Sequence, residues 1–393
     1  MEGLNGVLMA ASVRVLMALT YFHPIMSGME RQAFALGQQL VRRGHTVTVA
    51  TCKFPSLNAH EIVEGIRVDR VIRPLARGAL YAGSYLGSLS AYLLAHRKDY
   101  DLIHAHMLFL DAYAAGMVGS MVKKPVVAKV AGGGACGDVA RLGRVRGGAW
   151  LRAGLRRIPR IVATSDHVIH ELVEAGFSNE RIIRLPNGVD TERFRPAVNK
   201  DLARQALGVS GDVVVFAGRL HPDKDVQTLL EAWSRVSQTR PSAVLLLLGQ
   251  GPQEEHLRRE VVQRGLAKQV VFCGEQPDVA PYLQAADLFV LPSRAEGMSN
   301  ALLEAMACEV PCIASRIGGN VDVIQDGVNG RLVEVGRAEA LAHTILDCLN
   351  DRPGAMRLGV AARQTVEKRY VLTDLCDRYV ELYAELLNGS SQR

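Results

Sequence analysis

Leu291-Pro292-Ser293-Arg294-Ala295-Glu296-Gly297-Met298-Ser299-Asn300-Ala301-Leu302-Leu303-Glu304-Ala305-Met306-Ala307 is the stretch from which the fold follows. It is preceded by Ala286-Asp287-Leu288-Phe289-Val290, an apolar run that reads, with Leu291, as a buried parallel strand. A polar, glycine-containing turn comes next. Ala301 to Ala307 is then strong helix former almost throughout. Strand, turn and helix start thus fall within a few residues, which aims unpaired backbone N–H groups and the positive end of a helix dipole at whatever sits above the sheet. The expected guest is an anion.

Glu296 and Glu304 bracket this turn. On one helix their separation would rotate them apart by roughly 80° at 3.6 residues per turn, but with Glu296 on the loop both look into one crevice. Carboxylates accept hydrogen bonds from neighbouring hydroxyls. The pair therefore suits a ligand with hydroxyls on either side of a central phosphate, which describes a sugar nucleotide.

With Pro292-Ser293 ahead, Pro311 and Gly318-Gly319 behind, residues 291–319 resemble the signature of the retaining glycosyltransferases of family 4. That signature is an E-x7-E motif within P-S-x-x-E-G, E-A-M-A, P and G-G. The resemblance implies the GT-B fold, an α/β architecture of two Rossmann-like domains with parallel sheets facing across a deep cleft. Glu309 departs from it, since the family usually has a glycine ending this helix. Another residue is expected to take the terminating conformation, or the helix to end without a left-handed cap.

The chain has 393 residues, long for one core, so two domains are expected. With 48% hydrophobic residues and no apolar run long enough to span a bilayer, it reads as soluble and globular. Met1 to Asn5 carry an acid and no basic segment, which argues against a secretory signal. Seven scattered cysteines, including the pair Cys308 and Cys312, read as reduced core residues of a cytoplasmic protein rather than a metal site. Net charge is +6, with residues 1–195 at +10 and the remainder at −4, so the N-terminal half meets acidic partners.

In chain order, Val13 to Leu19 predicts a first strand, Met29 to Arg43 a helix ended by Gly44, and Thr46 to Ala50 a second strand. This is the opening of a Rossmann-like unit. The resembled family places a glycine pair near the donor phosphates here; in Ser27-Gly28 only Gly28 carries over. Asp101 to His106 and Pro125 to Val130 are further strands. His106 sits at a strand's C-terminal end, the ligand side of an open sheet, and is a candidate acceptor-side or acid/base group, with a backbone-satisfied histidine the other reading. His104 reads as structural.

Gly132-Gly133-Gly134-Ala135-Cys136-Gly137 formally matches G-x-G-x-x-G but is followed by a basic stretch, not an acid about 20 positions on. It reads as a loop where backbone approaches a ligand. The resemblance implies a histidine touching the donor sugar at a position that here is Ala131; Lys129 and Asp138 are the nearest side chains to compensate. From Arg141 to Arg160 stand seven arginines and no acid, interleaved with Trp150, Leu151, Leu155 and Ile158. This predicts a basic amphipathic helix that suits an anionic membrane surface or a phosphorylated acceptor, or else packs on the sheet. No nucleic-acid module accompanies it.

Pro186-Asn187-Gly188 through Pro196 punctuates a connection, which puts the domains at 1–195 and 196–371. The pattern then restarts. Val213 to Ala217 is a strand leading into Gly218-Arg219-Leu220 and Lys224, two cations placed to neutralise a diphosphate. The resemblance gives the same use to this pair. It also implies nucleobase contact near Glu275 and Gln276, after the turn Gly249-Gln250-Gly251-Pro252. Leu372 to Leu387 predicts a helix that the resemblance packs back on the N-terminal domain, with Asn388 to Arg393 disordered.

The expected activity is retaining transfer of a sugar from a nucleotide diphosphate sugar to a carbohydrate or lipid-linked hydroxyl acceptor, in polysaccharide, glycolipid or glycoconjugate synthesis. Arg219, Lys224 and Glu296 are the expected catalytic residues. Gly28, Gly218, Gly251, Gln276, Gly297, Met298, Ser299, Asn300 and Glu304 are expected to hold the donor, with Glu304 on the ribose and Glu296 on the sugar. His106, Lys129 and Asp138 are expected on the acceptor side. No metal, cofactor or nucleic acid is expected, and the location is cytoplasmic or peripheral on the inner membrane face. A sugar-nucleotide epimerase on the same fold and a non-catalytic membrane-surface protein are the rival readings.

Overall fold

The computed structural model describes residues 12–75, 79–134, 137–145 and 147–391. The leader reading at residues 1–5, together with Cys136, Arg146, Gln392 and Arg393, lies outside them. The chain opens β1 (Arg14–Ala18), α1 (Gly28–Arg42), β2 (Thr46–Cys52), β3 (His60–Val63), β4 (Ile66–Ile72) and α2 (Ala79–Ala95). It continues β5 (Leu102–Ala105), α3 (Leu110–Val122), β6 (Val126–Lys129), α4 (Asp138–Arg144) and α5 (Gly148–Leu155). β7 (Arg160–Ala163), α6 (Asp166–Glu174) and β8 (Ile182–Arg184) complete the first unit.

The second unit runs α7 (Lys200–Leu207), β9 (Val213–Ala217), α8 (Val226–Thr239), β10 (Val244–Leu248), α9 (Glu254–Gln263) and β11 (Val270–Gly274). α10 (Ala280–Ala285), β12 (Leu288–Leu291), α11 (Asn300–Ala307), β13 (Cys312–Ser315), α12 (Gly318–Val321) and β14 (Arg331–Val333) follow. α13 (Ala338–Asn350), α14 (Arg352–Arg369) and α15 (Leu372–Ser391) close the chain.

Among the described residues the strands form two sheets, ordered β3-β4-β2-β1-β5-β6-β7-β8 and β11-β10-β9-β12-β13-β14. Every pairing is parallel except the β3–β4 hairpin. Strand order reverses beside β1, flanked by β2 and β5, and beside β9, flanked by β10 and β12. In open α/β sheets the ligand crevice lies at such switch points, outside the strands' C-terminal ends. Those ends carry Gly28 after β1, Arg219 after β9 and Glu296 after β12.

Local sequence accounts for the elements that matter. Helix α1 starts at Ser27, whose N–H donates to Glu30 at 2.9 Å, buries Ala33, Leu36 and Leu40 on one face, and stops at Gly44 with φ 83°. Burying each leucine contributes roughly 2 kcal/mol. Helix α11 is capped by Ser299, whose hydroxyl accepts from the Leu302 N–H at 3.3 Å, and buries Leu302, Leu303 and Met306. It ends in a Schellman arrangement, with Glu309 N–H to Met306 and Val310 N–H to Ala305, both at 3.1 Å. The left-handed residue is Glu309 itself, φ 58°, so no other residue takes that role and the helix keeps its cap with a side chain where glycine is easier.

The arginine-rich stretch is not one amphipathic helix. Gly147, φ 80°, breaks it into α4 and α5, and Gly148 packs so tightly on the Leu142 carbonyl that no side chain fits. The β3–β4 hairpin and α2 have no counterpart in the sequence reading. Helix α15 runs to Ser391, past the expected end at Leu387 and into the segment expected to be disordered. It packs on the N-terminal unit, burying Cys376, Tyr379, Leu382 and Tyr383 in the cluster that contains Val15, Met17, Leu36 and Leu40. A bridge between Val189 and Val371 fastens the outgoing and returning connections side by side.

Candidate functional site

The site is built from the C-terminal ends of both sheets. After β12, the turn to α11 holds Glu296, and after β9 the loop 218–225 holds Arg219 and Lys224. The loops are stapled together: Arg294 N–H donates to the Asp223 carbonyl at 2.7 Å, and its guanidinium meets the Asp225 carboxylate at 3.0 Å. Lys224 Nζ reaches Glu296 Oε1 at 2.5 Å, and the Ser293 hydroxyl donates to the same oxygen at 2.8 Å. The cation and acid that sequence reading assigned separately are thus an ion pair, which keeps either from being left bare in a low-dielectric crevice. Arg219 is exposed; its carbonyl accepts from the His221 N–H at 2.9 Å, while its guanidinium makes no hydrogen bond or ion pair among the described residues. Its charge stands ready for an incoming anion.

Glu304 lies on α11 facing the same space. Burial pushes its carboxyl up to about 7, against the pull of Arg31 and Arg193. Its carboxyl has no hydrogen-bond partner among the described residues, so its acceptor capacity awaits a donor of hydrogen bonds. The first turn of α11 leaves N–H groups without intrahelical acceptors, at the segment Met298-Ser299-Asn300. Gly28 begins α1 opposite it, and Asn300 Nδ2 donates to the Gly28 carbonyl at 2.8 Å. Two helix N-termini therefore converge on one spot, with Arg219 and Lys224 on the loop beside it.

Glycines set how close the rims come. A Cβ on Gly297 would lie 2.8 Å from Gly133 N and 3.1 Å from the Gly132 carbonyl carbon, so the loop 132–134 touches the β12–α11 turn. Gly251 packs against Leu220 with no room for a side chain, which supports the Arg219 loop from beneath. Gly218 is held by its N–H to the Leu248 carbonyl at 2.9 Å. The Gln276 carbonyl accepts from Arg31 of α1 at 3.4 Å, another contact across the crevice.

The acceptor-side candidates are placed differently from expectation. His106 is 1% exposed, stacked on His104 with ring centroids 4.0 Å apart, and both its nitrogens lack partners among the described residues. Burial drives its pKa well below the ordinary value, so it stays neutral beneath the surface. Asp138 is buried and its Oδ2 accepts from the Leu108 and Ala131 N–H groups, both at 2.9 Å, so it holds the loop bearing Ala131 rather than reaching a substrate. Burial raises its pKa, opposed by those two N–H groups. Lys129 is buried at the end of β6 and donates to Asn187 Oδ1 at 2.8 Å. Burial lowers its pKa to about 8. None of the three offers a free group to the crevice.

Sequence reading missed Arg31, Asn187, Glu171 and Arg294. Glu171 Oε1 accepts from the Gly134 N–H at 2.7 Å and so shapes the glycine loop. Asn187 stood in a Pro-Asn-Gly that signals a turn and nothing more. Among the described residues no cluster of three or more His, Cys, Asp or Glu is arranged to hold a metal.

Two family descriptions match the chain, Glycosyltransferase Family 4 over residues 26–193 and Glycosyl transferases group 1 over residues 211–351. The N-acetyl-alpha-D-glucosaminyl L-malate synthase of Bacillus anthracis is 27% identical over 368 residues, 93% of this chain and 96% of that one. The UDP-Gal:alpha-D-GlcNAc-diphosphoundecaprenol alpha-1,3-galactosyltransferase of Escherichia coli is 27% identical over 310 residues, 76% of this chain and 79% of the other. The crystal structure of Anabaena HepE with UDP-glucose superposes with a TM-score of 0.81 at 22% identity, over 95% of this chain and all of that one. At that identity it shows the shared two-sheet fold.

Proposed function

This chain belongs to the family 4 glycosyltransferases and is a glycosyltransferase of GT-B fold, and from that premise we propose that its donor is a nucleotide diphosphate sugar transferred with retention at the anomeric carbon. The observation that carries the reading is the convergence of the α1 and α11 N-termini beside Arg219 and the Lys224–Glu296 pair. A diphosphate between the helix starts meets N–H groups, two dipoles and two cations. As the bond from the anomeric carbon to the phosphate oxygen breaks, these fixed charges stabilise the growing negative charge, each worth several kcal/mol in a water-poor site. Glu304, once ionised, accepts from the ribose hydroxyls. The Glu296 oxygen not held by Lys224 and Ser293 accepts from the sugar.

No protein base stands at Ala131, Asp138 and Lys129 are engaged elsewhere, and His106 is buried. The acceptor hydroxyl therefore attacks from the face the diphosphate leaves, and its proton passes to the departing phosphate oxygen. Arg219 and Lys224 do the work a divalent cation does at other diphosphates, so chelators leave the rate unchanged.

For the acceptor, the E. coli relative's name specifies a diphosphoundecaprenol-linked sugar. Here Trp150 is 62% exposed and lies tilted against Tyr113 of α3, ring centroids 4.6 Å apart, and the same helix carries exposed Met117 and Met121. The segment of Trp150 carries the exposed Arg141, Arg144, Arg156 and Arg157, while its acid, Asp138, is buried. Exposed apolar side chains together with these cations support peripheral attachment to an anionic membrane and a lipid-linked acceptor. No helix among the described residues is long and apolar enough to cross a membrane.

A product-release screen with UDP-, GDP- and ADP-sugars in EDTA, on the parent, Arg219→Ala and Glu304→Ala, tests the donor. One sugar nucleotide is expected to be consumed by the parent and much more slowly by both variants. An inverted anomeric centre in the product contradicts the retaining step.

A further inference from the structure

Building on the donor site proposed above, we propose that Lys129 is a positioning residue that fixes, through Asn187, the side-chain orientation of Asn300 and hence the joint between the two helix N-termini facing the donor. Hydrogen-bond polarity sets the order of the groups. An ammonium only donates, so the Asn187 oxygen must face Lys129, and it does so at 2.8 Å. The Asn187 amide nitrogen then points the other way, donating to the Met298 carbonyl at 3.2 Å and to Asn300 Oδ1 at 2.9 Å. With its oxygen so engaged, Asn300 presents its own nitrogen to the Gly28 carbonyl at 2.8 Å. Three bonds run in one direction from a strand of the first sheet, through the connection between the units, to the first residues of α11 and α1.

Reversal of either amide is unfavourable while the ammonium is present. Turned about, Asn187 would set N–H against N–H at Lys129 and oxygen against the Met298 carbonyl; turned about, Asn300 would set oxygen against the Gly28 carbonyl. Without the ammonium the Met298 and Gly28 carbonyls still favour this polarity, but the Asn187 oxygen loses its donor, so Asn187 is held less firmly and the joint loosens. The arrangement is an expensive way to stabilise a fold, because an ammonium buried on one neutral partner carries an uncompensated desolvation cost. A methionine of similar length would meet neighbours such as Leu36, Leu375 and Tyr379 without that charge cost, at the expense of an unpaired Asn187 oxygen. The lysine therefore serves the geometry of the site.

The test uses the full chain as parent, Lys129→Met, Asn300→Ala and the double variant, each followed by thermal melting, by kcat and KM for the sugar nucleotide consumed, and by backbone hydrogen exchange without ligand. Lys129→Met is expected to melt close to the parent, the relieved burial of charge offsetting the unpaired Asn187 oxygen, to lose roughly 10- to 100-fold in kcat/KM, and to exchange faster at Gly28–Glu30 and Met298–Asn300. The double variant is expected to be no slower than Asn300→Ala, since the two residues do not touch and act through one chain. Independent, multiplying losses in the double variant, or exchange unchanged by Lys129→Met, overturn the proposal. Asn187→Asp, which keeps an acceptor for Lys129 and removes the donor, is expected to show the same exchange change, and protection equal to the parent's overturns the proposal even where Lys129→Met fails to fold. If the parent consumes no sugar nucleotide, the donor reading falls, while hydrogen exchange still decides whether the joint exists.

Discussion

Replacing Glu304 by glutamine separates what the carboxylate costs the fold from what it does for the ligand. The parental group titrates near 7 instead of its usual 4.5, because burial disfavours the charge more than Arg31 and Arg193 favour it. At 1.36 kcal/mol per pKa unit the displacement amounts to ~3 kcal/mol, reduced to roughly 2 by the partial exposure of the side chain. The sign follows from the raised native pKa. Below about 4.5 the carboxyl is protonated in both the folded and unfolded chain and costs nothing; between 4.5 and 7 the unfolded chain is ionised first, so the cost grows. Above about 7 it is complete. Glu304→Gln is therefore expected to raise the melting temperature at pH 8 by several degrees and to leave it unchanged at pH 4. Donor affinity moves the opposite way. The parent is expected to bind the nucleotide more tightly as pH rises through 7, and the glutamine variant to bind roughly 10- to 100-fold more weakly with no such rise. Melting curves with and without nucleotide at three pH values measure both. A variant no more stable than the parent at pH 8, together with pH-independent nucleotide binding by the parent, refutes the reasoning.

Arg219→Ala is expected to leave the melting temperature unchanged, since the side chain has no partner to lose among the described residues, and to lower kcat by roughly 10²–10³-fold in steady-state assays. Lys224→Ala is expected to lower both, because it strands the Glu296 charge, 2.5 Å away in the parent, at a cost of roughly 2–3 kcal/mol visible in the melt. Glu309→Gly relieves a left-handed residue and is expected to stabilise the chain by about 1 kcal/mol with turnover unchanged, read from melting and initial rates. In Gly297→Ala the added carbon meets Gly133 N at 2.8 Å, so the rims must separate; calorimetry is expected to show the nucleotide still bound while turnover falls.

The parts of this molecule written in short, contiguous signals were legible. Strand, turn and helix around Glu296 could be read because Pro292, Gly297 and the run Ala301 to Ala307 each have a local preference that agrees with the fold. The loop that carries Arg219 and Lys224 could be read because it follows the unbroken apolar strand Val213–Ala217. The β3–β4 hairpin had a signal that went unread: Glu64-Gly65 between Val63 and Ile66, both with positive φ, is a two-residue turn of the kind glycine permits. The arginine-rich segment misled because side-chain spacing was counted through Gly147-Gly148, where backbone conformation decides. The role of Lys129 had no local trace at all. Its partner lies 58 positions on, and Asn187's partner Asn300 a further 113, and the need of a buried ammonium for an acceptor says nothing about where in the chain the acceptor is. Likewise His106 and Asp138 stood at strand ends or loop starts that face ligands in such sheets, but His106 is buried against His104, which meets Tyr379 of α15, and Asp138 is held by the N–H groups of Leu108 and Ala131.

The central claim is that a nucleoside diphosphate sits between the starts of α1 and α11, held by Arg219 without a metal. Calorimetric titration of UDP, GDP and ADP in EDTA into the parent and into Arg219→Ala tests it most directly. Saturable binding of one of the three by the parent, at least tenfold weaker in the variant, is the result the account predicts; binding of none, or equal binding by both proteins, contradicts it.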